Sequence, residues 1–177
     1  MSAVLDCNIS FIGGGNMAQA LIGGLIARGL APTRITVSDP VEGVRDLLAE
    51  KGVQVTTDNA AAVLVADVVV FAVKPQVLSQ VLKPLHGLCD GKLIVSIVAG
   101  AEVATIANLL GTERVVRVMP NTPALVQIGA HGLFANEAMN QADRDLASQI
   151  LAATGLTIWV PVESQIDAVT AVSGSGP

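Results

Sequence analysis

The chain has 177 residues, 51% of them hydrophobic and 14% charged, with a formal net charge of −5 and a mean hydropathy of +0.61. That length suits one domain, or one domain with part of another, and the apolar content supports a large core. An acidic balance with no basic cluster argues against nucleic-acid binding. Residues 60–73 carry Asp67, and 93–101 falls short of the ~20 apolar residues that a bilayer requires, so no membrane partner is expected.

In chain order, strand-like and helix-like segments alternate. Ile9–Ile12 is an apolar strand, and Gly13-Gly14-Gly15 leads into helical spacing over 16–28. In that helix Met17, Leu21 and Leu25 form one stripe, with Ile22 and Ile26 beside it. Gly29 stops the helix. Residues 35–37 are a β-branched strand, 41–50 a polar-faced helix closed by Gly52, and 53–56 a strand. Asp58 caps a short alanine-rich helix. Residues 68–73 are a fully apolar strand, and 77–85 are helical after Pro75. Residues 93–97 form a strand, and Val103, Ile106 and Leu110 mark a helix that closes at Gly111. Val115–Met119 is a strand. Asn140 caps a helix with Asp143 three residues on, Leu146 and Ile150 on one face, and Gly155 as its stop; 156–160 is the last strand. The alternation predicts an α/β fold of right-handed βαβ units around a doubly wound, mainly parallel sheet.

The first turn carries the strongest chemical signal. Gly13, Gly15 and Ala18 fit G-x-G-x-x-G/A between a strand and a helix, the dinucleotide-binding pattern of a Rossmann-type domain. Gly13 allows the sharp turn, Gly15 lets a pyrophosphate approach the main chain, and Ala18 lets the helix pack close to the strand. The N–H groups at the helix start would face the phosphates. Ser38-Asp39-Pro40, Lys74-Pro75-Gln76, Ala99-Gly100 and Pro120-Asn121-Thr122-Pro123 each follow a strand, and ligands of open parallel sheets bind at that edge. Asn121, between two prolines, presents an amide suited to a nicotinamide carboxamide or a substrate carbonyl. Asp39 lies at the separation from the glycine loop expected of a ribose-binding acid, which would accept from the 2′-OH of NAD and repel the 2′-phosphate of NADP. Ser38, Arg34 and Arg45 point the other way, so either cofactor fits.

No Ser-His-Asp arrangement, metal cluster or close carboxylate pair stands out, and His86 and His131 read as surface or satisfied histidines. Cys7 and Cys89 have no metal-like spacing and read as reduced thiols of a cytoplasmic protein. The first residues lack the basic start and apolar run of a signal peptide.

Phe11-Ile12-Gly13-Gly14-Gly15-Asn16-Met17-Ala18, Ala72-Val73-Lys74-Pro75-Gln76, Ser96-Ile97-Val98-Ala99-Gly100, Met119-Pro120-Asn121-Thr122-Pro123-Ala124 and Val172-Ser173-Gly174-Ser175-Gly176-Pro177 resemble pyrroline-5-carboxylate reductase over almost the whole chain. The resemblance implies hydride transfer from NADPH or NADH to the C=N carbon of 1-pyrroline-5-carboxylate, giving proline. It also implies a cytoplasmic homodimer or higher homo-oligomer. By the same resemblance, residues 13–18, including Gly14, Asn16 and Met17, hold the pyrophosphate, and Ser38 with Asn59 lies near the adenosine ribose. Ala72, Val73, Lys74 and Pro75 pass beside the cofactor, and Ala99, Gly100 and Asn121 lie near the nicotinamide. The cofactor supplies the hydride and the imine is readily protonated, so no catalytic side chain or metal is assigned within the chain. Residues 1–162 are expected to form the cofactor-binding domain, and 163–177 to lead into a helical dimerisation domain. This chain would then be an inactive half. The alternatives are another reductase of the same fold, such as a β-hydroxyacid dehydrogenase, and a non-catalytic nucleotide-sensing module.

Overall fold

The computed structural model describes residues 5–168. Eight strands, β1 (Ile9–Ile12), β2 (Ile35–Ser38), β3 (Gln54–Thr56), β4 (Val68–Phe71), β5 (Leu93–Ser96), β6 (Val115–Met119), β7 (Gly129–Ala135) and β8 (Gly155–Trp159), form one sheet in the order β3-β2-β1-β4-β5-β6-β7-β8. Strands β1 to β6 are parallel. β7 runs antiparallel to β6, and β8 runs parallel to β7. The expected doubly wound, mainly parallel sheet is therefore present.

Strand alternation divides the core into two layers. Ile9, Phe11, Val68, Val70, Leu93, Val95, Val116 and Val118 face one side. There they meet Leu21, Ile22 and Leu25 of α1 (Asn16–Ala27) and Ala147, Ile150 and Leu151 of α6 (Gln141–Leu151). Ile12, Val69, Phe71, Ile94 and Val115 face the other. That side is covered by α3 (Asn59–Leu64), α4 (Leu78–Leu82) and α5 (Val103–Leu110). α2 (Glu42–Ala49) joins the first layer through buried Leu48 and half-buried Val44 and leaves Leu47 exposed. β4 is buried at every position, which is why it reads as an unbroken apolar run.

Several local signals act as the sequence indicates. Asp58 accepts from Ala61 N–H at 3.1 Å and Asn140 accepts from Asp143 N–H at 2.8 Å, each capping its helix. α5 ends at Gly111. Two differences stand out. The segment 77–85 is not one helix: α4 spans five residues between 3₁₀ turns at Pro75–Val77 and Lys83–Leu85, because Pro75 and Pro84 each open a new turn. β7, with Gly129, Ala130, His131 and Gly132 in its first half, carries little strand propensity and was not expected from the sequence. It forms because β6 and β8 pair with it from both sides. Among the described residues no helix is long and apolar enough to cross a membrane.

Candidate cofactor site

The chain leaves β1, builds β2 and β3 outward on one side, then crosses back to place β4 on the other side of β1. The loops after β1 and β4 therefore diverge and open a crevice between them, where ligands of such sheets bind. Ala72 N–H donates to the Ile12 carbonyl at 2.9 Å and holds the two strand ends together.

The glycines of the first loop do three different things. Gly13 has φ +100°, and a Cβ there would lie 2.6 Å from the Ala72 carbonyl oxygen, so turn and close approach both require glycine. A Cβ on Gly14 would lie 2.7 Å from Val44 Cγ1; this glycine packs against α2, and its N–H donates to Asp39 Oδ2 at 2.8 Å. Gly15 has φ −66°, which any residue adopts, and nothing lies within 4 Å of a Cβ built there. No contact among the described residues accounts for a glycine at that position. Beside it, the first bond of α1 runs from Gln19 N–H to the Gly15 carbonyl, so the N–H groups of residues 15–18 lie outside the helix ladder. α1 has no side-chain cap and no acidic residue in its first turn. Open space, unclaimed donors and the positive end of a twelve-residue helix coincide at Gly15, which is the arrangement a pyrophosphate needs.

A cleft of about 860 Å³ opens from this loop. It is lined by Gly13, Gly15, Ser38, Asp39, Asn59, Ala72, Val73 and Lys74 among the residues expected from the sequence. Gly14 and Ala18 are buried beneath the loop, Met17 is half-buried, and Asn16 and Pro75 are exposed beside the cleft without lining it. Ala99, Gly100 and Asn121 follow β5 and β6 at the same sheet edge and also lie outside the cleft lining. The cleft extends further than the sequence indicates, to Thr57, Val77, Gln80, Val81, Pro84 and Leu85. Val77, Val81 and Leu85 stand at helical spacing, and that periodicity looks the same whether a stripe faces a core or a ligand.

Polar groups around the cleft are tied to one another. Ser38 is buried: its carbonyl accepts from Gly13 N–H at 2.8 Å and its hydroxyl donates to Asn59 Oδ1 at 2.6 Å. That bond leaves the Asn59 amide NH₂ group to donate elsewhere. Asp39 is 9% exposed, and both carboxylate oxygens accept backbone N–H groups, Oδ2 from Gly14 and Oδ1 from Val41, each at 2.8 Å. The acid at the ribose-binding spacing thus staples the glycine loop to the start of α2. Arg45 Nη1 donates to the Asp39 carbonyl at 2.8 Å and reinforces that corner. Asn121 Oδ1 accepts from Ala130 N–H at 2.9 Å and fixes the start of β7; its NH₂ group has no protein partner among the described residues.

Neither histidine joins the cleft. His86 is exposed, its Nδ1 3.1 Å from the Leu109 carbonyl. His131 is buried in β7, with Nε2 2.9 Å from Thr154 Oγ1 and Nδ1 without a partner among the described residues; burial holds its pKa below the ordinary histidine value. Cys7 and Cys89 are buried free thiols, and burial pushes Cys89 up to about 11, which removes it as a nucleophile. Among the described residues, no group of three or more His, Cys, Asp or Glu is arranged to hold a metal.

Residues 8–100 match the family described as NADP oxidoreductase, coenzyme F420-dependent. A pyrroline-5-carboxylate reductase of Pseudomonas aeruginosa is 51% identical over 172 residues, covering 96% of this chain and 63% of the relative. The structure of a pyrroline-5-carboxylate reductase from Coxiella burnetii aligns with a TM-score of 0.93 at 45% identity, over 98% of this chain and 66% of that one. A pyrroline carboxylate reductase of Plasmodium falciparum, solved with NADP bound, aligns with a TM-score of 0.87 at 27% identity, over 99% of this chain and 65% of that one. The chain spans just under two thirds of these relatives. The resemblance carried by the sequence motifs is borne out: the chain belongs to the family of NADP oxidoreductases described as coenzyme F420-dependent, and nearly its whole length is similar to pyrroline-5-carboxylate reductases.

Proposed function

We propose that this chain is the dinucleotide-binding part of a reductase that converts 1-pyrroline-5-carboxylate to proline with NADPH or NADH. The observation that carries the reading is Gly15, where open space meets the unclaimed N–H groups of α1 at the crevice between β1 and β4. In this reading Gly13, Gly15 and the N–H groups of Asn16, Met17 and Ala18 cradle the pyrophosphate. Gly14 holds the loop to α2. The Asn59 NH₂ group, oriented by Ser38, donates to the adenosine ribose. Val41, Val77 and Val81 flank the adenine, and Ala72, Val73, Lys74 and Pro75 run beside the dinucleotide. Asp39 acts through the loop that it staples. Ala99, Gly100 and the free NH₂ group of Asn121 stand at the reactive end, where the amide would orient the nicotinamide carboxamide.

Bound cofactor would supply a hydride to the imine carbon while the ring nitrogen takes a proton, leaving oxidised cofactor and proline. The residues of this chain then have to bind, orient and exclude water rather than react. The imine pocket, a homo-oligomeric assembly and a cytoplasmic setting belong to the same proposal, with residues 163–177 leading toward the part that completes the pocket. Residues 169–177 of that segment, with the Val172–177 motif, lie outside the described residues.

The test is pyrroline-5-carboxylate-dependent oxidation of NADPH, measured on this chain and on a protein of the relatives' full length. Turnover by the longer protein and little by this chain supports the proposal. Comparable turnover from both would place the imine pocket within the chain. Cofactor binding without imine reduction by the longer protein would favour a different reductase or a nucleotide sensor.

A further inference from the structure

Arg117 is the most deeply buried guanidinium of the described residues, and nothing in the cofactor reading uses it. It lies on β6 opposite Ser96 of β5, one residue short of the loop that contains Ala99 and Gly100. Its neighbours Val116 and Val118 face the α1 side of the sheet, so by alternation Arg117 faces the α5 side. The side chain is 4% exposed, against 25% for Glu163 and 66% for Asp167. Nη1 lies 3.2 Å from Glu163 Oε1, and Nη2 lies 2.7 Å from Asp167 Oδ1. Glu163 Oε1 also accepts from Val103 N–H at 2.8 Å. Val103 opens α5, whose N-cap, Glu102, makes no side-chain cap of its own. A carboxylate sixty residues further along the chain therefore caps this helix, and a buried arginine holds it there.

We infer that Arg117 is a positioning residue: through Glu163 it locks the loop between β5 and α5 to the segment 163–168 that leaves the sheet, and so fixes the reactive end of the cofactor site. The inference rests on the proposed cofactor reading, because that reading puts the nicotinamide beside Ala99 and Gly100. The arginine does not line the cleft that would hold the adenosine half, so its loss should separate the two halves of the ligand. Replacing it by methionine is tolerable, since the carboxylates it leaves behind are both partly exposed and can be hydrated.

The test uses the chain as it stands, titrated with NADPH and with 2′-phospho-ADP-ribose, which is NADPH without its nicotinamide ring. In Arg117→Met the fragment should bind within about twofold of the unchanged protein, while the preference for NADPH over the fragment falls about threefold or more. In parallel, amide exchange over 97–103 and 163–167 should quicken by about tenfold with the glycine loop unchanged. Glu163→Gln keeps an acceptor for Val103 N–H and loses the charge; it should fall between the two, and it carries the same comparison if Arg117→Met does not fold. Equal loss for both ligands, or unchanged exchange at Val103, overturns the inference. A parent chain that binds neither ligand overturns the cofactor reading instead, and exchange at Val103 still decides whether the lock exists.

Discussion

At the scale of single residues, the glycine loop shows how one motif distributes unlike duties. Gly13 answers to a turn, Gly14 to a helix packed on it, and Gly15 to nothing among the described residues. Gly15→Val should therefore leave the melting temperature within about 3 °C of the parent, as expected of a substitution that meets open space at an ordinary φ. Gly13→Ala, by contrast, should destabilise the fold by about 1–3 kcal/mol, because φ is +100° and the Ala72 carbonyl is too near. Paired thermal melts check both; equal losses would mean that Gly15 is a structural glycine after all. The motif was legible because each glycine occupies a fixed place between strand and helix. What could not be read was the structural duty of Asp39. Sequence spacing marks an acid near the ribose, whereas its two bonds to Gly14 and Val41 depend on how α2 approaches the loop. Asp39→Ala should accordingly weaken NADPH and NADH together by roughly 1–3 kcal/mol, through loss of buried hydrogen bonds, and leave their ratio nearly unchanged. A ratio that moves toward NADPH would return Asp39 to the role of a 2′-position reader.

At the scale of elements, caps and apolar stripes were the legible parts, because they act within one turn of chain. Asn140 with Asp143 is an example, and Asn140→Ala should cost about 1 kcal/mol in a denaturant titration. β7 was illegible for the opposite reason. Its first half has no β-branched residue, and its place comes from partners: Gly129 packs where a Cβ would lie 2.8 Å from Ala124, and Gly155 enters β8 where a Cβ would meet the Gly129 carbonyl. The same pairing buries His131. Thr154 Oγ1 lies 3.2 Å from the Leu151 carbonyl and donates to it, so it accepts from His131 Nε2–H and leaves Nδ1 unprotonated in the interior. The folded pKa is lowered by desolvation, so the unfolded chain takes up the proton first. The contribution of neutral His131 is full above the unfolded pKa of about 6.5 and is lost as pH falls from there toward the folded value. Melting temperature should drop between neutral and mildly acidic pH, and His131→Leu should flatten that slope. An unchanged slope in the variant would assign the acid sensitivity to another group.

At the scale of the whole molecule, the fold was legible because an alternating pattern of strands and helices admits few right-handed solutions, and the crevice between β1 and β4 follows from strand order alone. The reactive end was less legible. Ala99, Gly100 and Asn121 reach the same edge, yet none of them lines the cleft, whose walls are instead completed by residues such as Val77 and Pro84. The apolar composition is spent mainly on a sheet covered on both faces. Even so, Leu125, Val126 and Ile128, and Leu156 and Ile158 on the edge strand β8, remain more than two fifths exposed. The central claim is that the open space at Gly15 is a seat for the pyrophosphate of a nicotinamide dinucleotide. It is tested most directly by calorimetric titration of NADPH into the chain and into its Gly15→Val variant at fixed salt. Saturable one-to-one binding by the parent, with binding lost in a variant that keeps its fold, is the expected result. No binding by the parent, or equal binding by both proteins, would contradict the account.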